Sequence, residues 1–131
     1  MEDSIFTKII KGEIPCEKVY EDEQTIAFLD LYPSMPGHTL VVPKKQVEFI
    51  WDMDDSDYTA LMTTVKKLGA HLRNVLPQKY VGVKVIGTDV PHVHVHLVPF
   101  DTGEEFKHTA DMTADPDHTA LATMAEKLRL Q

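Results

Sequence analysis

The 131-residue sequence predicts an α+β domain: an antiparallel sheet of about five strands, one long helix packed on it, and short helices near both ends. Three observations carry this reading. Five short segments rich in Val, Ile, Thr and aromatic residues are bounded by Pro, Gly or Asp. Between the third and fourth, apolar residues recur at helical spacing. The last two extended segments are too close for a crossover helix and therefore form a hairpin.

At the amino end, Ser4 suits an N-cap, Ile5 and Ile9 lie four apart, and Gly12 ends the turn, so a short helix is expected. Strands are expected over 17–21, 25–30 and 38–43. Asp22-Glu23 turns between the first two, and Leu31-Tyr32-Pro33-Ser34-Met35-Pro36-Gly37 loops before the third. Asp52, Asp54, Asp55 and Asp57 then gather ahead of a long helix, with Ser56 or Asp55 as the expected cap. Its apolar stripe is Tyr58, Leu61, Met62, Val65, Leu68, Leu72, Val75 and Leu76, and Pro77 stops it. Val81, Val83 and Val85 alternate with Gly82, Lys84 and Ile86 in a fourth strand. Gly87-Thr88-Asp89 is expected to turn directly into the fifth. Residues 101–115 are polar, acidic and aperiodic, so an exposed loop is expected there. Leu121, Met124, Ala125 and Leu128 mark a terminal amphipathic helix within 117–130. No repeat or linker divides the chain, so residues 1–131 form one expected domain, with a core over 4–100 and a loop-and-helix tail over 101–131.

Composition narrows the function. A net charge of −8 argues against duplex nucleic acid or an anionic membrane as main partner, without excluding a small anion in a locally favourable pocket. Cys16 is the only cysteine, so neither an intrachain disulfide nor a thiolate zinc cluster can form. The acidic start Met1-Glu2-Asp3-Ser4 does not read as a secretory leader, and no apolar run is long enough to span a bilayer, so a cytoplasmic location is expected.

The chemistry gathers in Pro91-His92-Val93-His94-Val95-His96-Leu97-Val98-Pro99. As a strand, this stretch projects His92, His94 and His96 to one face and Val93, Val95 and Leu97 to the core. A row of imidazoles fills a core poorly, because each ring needs partners for a donor and an acceptor. For three histidines spread along a strand to meet one zinc, the outer pair would have to lean hard inward. Two of them with a third ligand from another strand can still hold one. Covalent catalysis fits the row better, since a neutral imidazole is a nucleophile toward phosphorus. The central ring, His94, is then the attacker between two helpers.

His92-Val93-His94-Val95-His96-Leu97-Val98 resembles the signature of the histidine triad family, His-φ-His-φ-His-φ-φ with φ apolar. The likeness extends to Ile5-Phe6, Lys8-Ile9-Ile10, Gly12-Glu13-Ile14-Pro15 and Val19-Tyr20-Glu21-Asp22. It continues through Ala27-Phe28-Leu29-Asp30, Pro33 and Pro36-Gly37-His38-Thr39-Leu40-Val41-Val42-Pro43-Lys44, so that it covers residues 4–100 nearly continuously. The resemblance implies a homodimer whose two sheets join, with one purine nucleotide or nucleotide-conjugate site per subunit and no obligatory metal or cofactor. It implies hydrolysis or transfer of nucleoside monophosphates through a nucleotidylated His94. His96 would serve the phosphate or leaving atom, and His92 with His38 the supporting hydrogen bonds. Asp30 would hold the ribose hydroxyls, and Ile5, Phe6, Ile9, Phe28 and Leu31 would surround the base.

Three departures from the family pattern bear on the leaving group. Thr88 and Asp89 replace a glutamine and a hydroxyl residue before the triad, the hairpin is shorter, and Ile86 stands near a common asparagine position. A carboxylate at Asp89 would repel phosphate and raise a neighbouring histidine pKa. Ser4 and Thr7 stand where some relatives carry paired zinc-binding cysteines. The rival readings are a nucleotide-binding scaffold of the same fold without chemistry, and a zinc-binding domain.

Overall fold

The computed structural model describes residues 2–130. Met1 and Gln131, the ends of the expected domain, lie outside the described residues. The elements run α1 (Ile5–Ile10), β1 (Lys18–Glu21), β2 (Thr25–Leu29), β3 (Thr39–Pro43), α2 (Asp55–Val75), β4 (Tyr80–Lys84), β5 (Val95–Phe100), α3 (Gly103–Lys107) and α4 (His118–Leu128), with a 3-10 turn at Ile50–Asp52. The strands form one antiparallel five-stranded sheet in the order β1-β2-β3-β5-β4.

Both faces of the central strands are covered, which is why β2 and β3 are buried at every position. Ala27, Leu29, Val41, Val95 and Leu97 meet Leu61, Leu68 and Leu72 of α2, and Leu121, Ala125 and Leu128 of α4 complete that core. On the opposite face Ile26, Phe28, Leu40 and Val42 pack with Phe6 of α1. The expected α2 stripe is borne out at its centre, while Tyr58 at its start is 44% exposed. Buried Thr64 of α2 satisfies its hydroxyl on Thr25 at 2.8 Å.

Local chemistry explains most boundaries. Ser4 caps α1, its Oγ accepting the Thr7 N–H at 3.0 Å, as expected. The α2 cap is Asp54, one residue before Asp55 and two before Ser56, and its side chain makes no capping bond. The helix still ends at Val75 before Pro77. Gly37 adopts φ 92°, and a Cβ there would stand 2.8 Å from Leu76 Cδ1, so this turn into β3 requires glycine.

Two expectations are corrected. The β4–β5 connection is not a two- to three-residue turn but spans 85–94, and β5 begins only at Val95. Of the three triad histidines, only His96 lies in the strand. The cause is competition for backbone groups: the His92 carbonyl is taken by the His94 ring, and Val93 N–H donates to the Val47 carbonyl at 2.8 Å. The 101–115 stretch is not loop throughout, because Thr102 and Glu105 form a reciprocal capping box that starts α3.

Candidate active site

On the α1 face of the sheet, β2, β3, β5 and α1 wall a cleft of about 380 Å³. His38, His94 and His96 line it together with Asp30, Ile5, Phe6, Ile9, Phe28, Leu31 and Asp89. Every expected site residue except His92 therefore reaches one cleft. His92 is fully buried behind it. Phe6 and Phe28 are buried, whereas Ile5 is 47% and Leu31 39% exposed, as for side chains at an open apolar mouth. Phe6 links the two groups, its ring meeting the His94 ring edge-on at 4.9 Å and Phe28 at 5.5 Å.

Hydrogen bonds fix the tautomer of each histidine. A carbonyl only accepts, so His92 Nε2–H donates to the Pro43 carbonyl at 2.7 Å, and Nδ1 accepts from the Ser4 hydroxyl at 2.7 Å. By the same rule His94 Nδ1–H donates to the His92 carbonyl at 2.7 Å, which leaves the lone pair on Nε2. The backbone N–H of Ser34 only donates, so His38 Nδ1 accepts it at 3.1 Å and the His38 proton sits on Nε2. That proton is donated to His96 Nδ1 at 2.9 Å, which leaves His96 with its own proton on Nε2. The His94 and His96 rings are 5.0 Å apart. Among the described residues, Gln78 Oε1 is the one buried side-chain polar atom without a partner, so the free Nε2 atoms of both rings are open to the cleft. The site thus presents a nucleophilic nitrogen beside a hydrogen-bond-donating N–H.

Burial keeps the supporting rings neutral. It pushes His38 down to about 3 and His96 down to about 4, with neighbouring imidazoles and Lys84 adding to the shift, and it lowers His92. The raising effect expected from Asp89 exists at His96 but is outweighed by burial. Asp30 is raised, chiefly by burial, with the Tyr32 N–H at 2.9 Å opposing. Its Oδ2 lies 3.7 Å from His38 Nε2.

Unfolded histidines titrate near 6.5, so between that value and about 4 the unfolded chain takes up protons that folded His38 and His96 refuse. Their contribution is complete above 6.5 and is lost as pH falls through this window, at up to about 1.4 kcal/mol per pH unit for each group. Asp30 acts oppositely, since its raised carboxyl favours the folded state as it protonates. Thermal melts from about pH 7.5 to about pH 4.5 are expected to show a falling Tm, with a shallower fall in His38→Asn. Equal slopes in the two proteins would contradict this assignment.

Asp30, His38 and His96 offer three ligand atoms within 4.8 Å of one another, a set with one triad histidine rather than the neighbouring two that the sequence left open for a metal. The Ser34 N–H argues against it. A metal on His38 Nε2 needs the lone pair there, which would drive the ring proton onto Nδ1 against that N–H. Ser4 and Thr7, at the positions of the paired cysteines, instead form with Gln46 a hydrogen-bonded support for His92, with Thr7 Oγ1 donating to Gln46 Oε1.

Sequence reasoning missed several residues in and behind the cleft. Ser34 and Gln46 act through His38 and His92 and carry no motif of their own. Lys84, Lys107, His108 and Met112 also line the cleft. The alternation of β4 put Lys84 on the face of Gly82, but only the hairpin register places it opposite His96. His71 lies outside the cleft, and its Nε2–H donates to the Leu128 carbonyl at 3.0 Å, tying α2 to α4.

Residues 11–103 match the family model described as HIT domain. The chain is 44% identical over 104 residues to an uncharacterized HIT-like protein of Methanocaldococcus jannaschii, covering 76% of this chain and 81% of that protein. It is 36% identical over 99 residues to the adenosine 5′-monophosphoramidase of Schizosaccharomyces pombe, with 72% of each chain covered. A crystal structure of a HIT-like protein from Bartonella henselae superposes with a TM-score of 0.83 at 31% identity, covering 97% of this chain and 95% of that one.

Proposed function

The chain belongs to the HIT, or histidine triad, family, and on that premise we propose that it is a nucleotide hydrolase or transferase that cleaves nucleoside 5′-monophosphate derivatives through a nucleotide bonded to His94. One observation supports this above all: a lone pair on His94 Nε2 stands beside a proton on His96 Nε2 in a cleft with an apolar pocket. The phosphoramidase activity named for the Schizosaccharomyces pombe relative is consistent with it.

In this mechanism the base lies among Phe6, Phe28, Ile9, Ile5 and Leu31, and the ribose hydroxyls donate to the free oxygen of Asp30. His94 Nε2 attacks phosphorus, the bond from phosphorus to the leaving atom breaks, and that atom takes the His96 Nε2 proton, leaving an imidazolate at His96 that the His38 Nε2–H and the cationic nucleotidyl-His94 ring stabilise until water returns the proton. Water then attacks the nucleotidyl-histidine, returning a proton to His96 and releasing the monophosphate as the N–P bond breaks. His38 and His92 move no proton in this scheme; they hold the tautomers. No step calls on a metal or cofactor. No described helix is long and apolar enough to cross a membrane, and we place the reaction in the cytoplasm.

Two in-line displacements retain configuration at phosphorus, whereas direct attack by water inverts it. Hydrolysis of a P-chiral adenosine phosphorothioamidate in ¹⁸O-water is expected to give net retention, and net inversion would overturn the covalent route.

The molecule is further proposed to be a homodimer with sheets joined along β4. The β1 edge is covered by the chain's own tail, Leu130 N–H donating to the Val19 carbonyl at 2.8 Å. The β4 edge is outermost and carries Val83 at 51% and Ile86 nearby at 57% exposure. Sedimentation is expected to give twice the chain mass, and Val83→Glu to give one chain mass.

A further inference from the structure

The sheet order lays out the substrate's path. Phe28 and Asp30 mark the nucleoside side at β2, and His94 and His96 stand at β5. The leaving group therefore extends toward β4 and α3. Lys84 pairs directly with His96 across the β4–β5 ladder, so the two side chains rise on the same face. Its Nζ lies 5.0 Å from the Phe106 ring centroid. Phe106 reaches that place because Gly82 has no side chain: a Cβ there would overlap the ring. Phe100 packs against the ring's flank at 4.9 Å. The capping box of α3 and the glycine of β4 thus hold one ammonium next to the leaving-group histidine. Among the described residues Lys84 has no carboxylate within ion-pair distance, unlike Lys11, Lys18, Lys44 and Lys45. Asp89, exposed on the 85–94 connection, repels an anion from its side of the rim and leaves the β4 side for it.

We propose that Lys84, propped by Phe106 over Gly82, is a specificity-determining cation that selects nucleotide conjugates whose leaving group carries a phosphate or a carboxylate. The proposal rests on the nucleotidyl-His94 reading, since that reading assigns the leaving-group side. Adenosine 5′-phosphoramidates in matched pairs test it: phosphoethanolamine against ethanolamine, and glycine against glycinamide. In each pair the type of P–N bond broken is the same and the members differ only at the distal group, anionic in one and neutral in the other.

The wild-type protein is expected to favour the anionic member, and Lys84→Met to lower the anionic-to-neutral ratio of kcat/KM by about tenfold. Phe106→Ala, which frees the lysine, is expected to lower the ratio less. Raising salt is expected to lower it in the wild type and leave it flat in Lys84→Met. A response confined to one pair identifies phosphate or carboxylate as the group read. An unchanged ratio in both pairs in folded Lys84→Met and Lys84→Gln, or an equal loss for both members, overturns the proposal. Failure of the underlying reading looks different: the wild type would then cleave the neutral amidates without a His94 adduct, or cleave none.

Discussion

His94→Ala is expected to lower kcat/KM for an adenosine 5′-phosphoramidate by about 10⁴-fold or more, with nucleotide affinity within a few fold of the parent. The size follows from the covalent route, because deleting the nucleophile removes both displacement steps and leaves only direct attack by water. Affinity is retained because the pocket of Phe6, Phe28 and Ile9 and the Asp30 carboxylate do not depend on the lost ring. Monophosphate titration and steady-state kinetics on one preparation separate the two effects. A loss below tenfold would show that the nitrogen at position 94 does not attack. Loss of binding together with Tm would show that the ring is chiefly structural.

His96→Ala carries the second large effect, about 10²- to 10⁴-fold with an amine leaving group. The chain Ser34 N–H to His38 Nδ1, then His38 Nε2–H to His96 Nδ1, leaves one proton pointing at the leaving atom. An amine needs that proton and a 4-nitrophenolate does not. The defect is therefore expected to shrink to within about tenfold on a 4-nitrophenyl ester of AMP. Equal defects on both substrates would instead mean that His96 binds phosphate without donating a proton. His38→Ala should show the same leaving-group dependence at smaller size, since it loosens the tautomer but keeps the donor.

Much of this architecture is legible in the residues. The capped helix at Ser4, the long stripe through Leu61, Leu68 and Leu72, and the alternating strands each carry a local signal that the packing honours. The cleft was legible because the motif and its upstream blocks name residues on neighbouring strands. What escaped was set by contacts distant in sequence. Alternation made His92 and His94 strand residues, yet the His94 ring takes the carbonyl that a ladder would use. The acidic tail read as loop because its one aromatic side chain, Phe106, finds its partner at Gly82, which carries no apolar signal. Lys84 stayed an ordinary surface lysine until the register set it opposite His96.

In the proposed mechanism Nε2 of His94 becomes bonded to phosphorus during turnover. Rapid-quench mass spectrometry of the enzyme mixed with an adenosine 5′-phosphoramidate tests it most directly. The predicted result is an AMP adduct on the peptide carrying His94, formed and lost at rates that account for turnover and missing from His94→Ala. An active enzyme that never carries the adduct at any quench time, or carries it on another residue, would contradict the account.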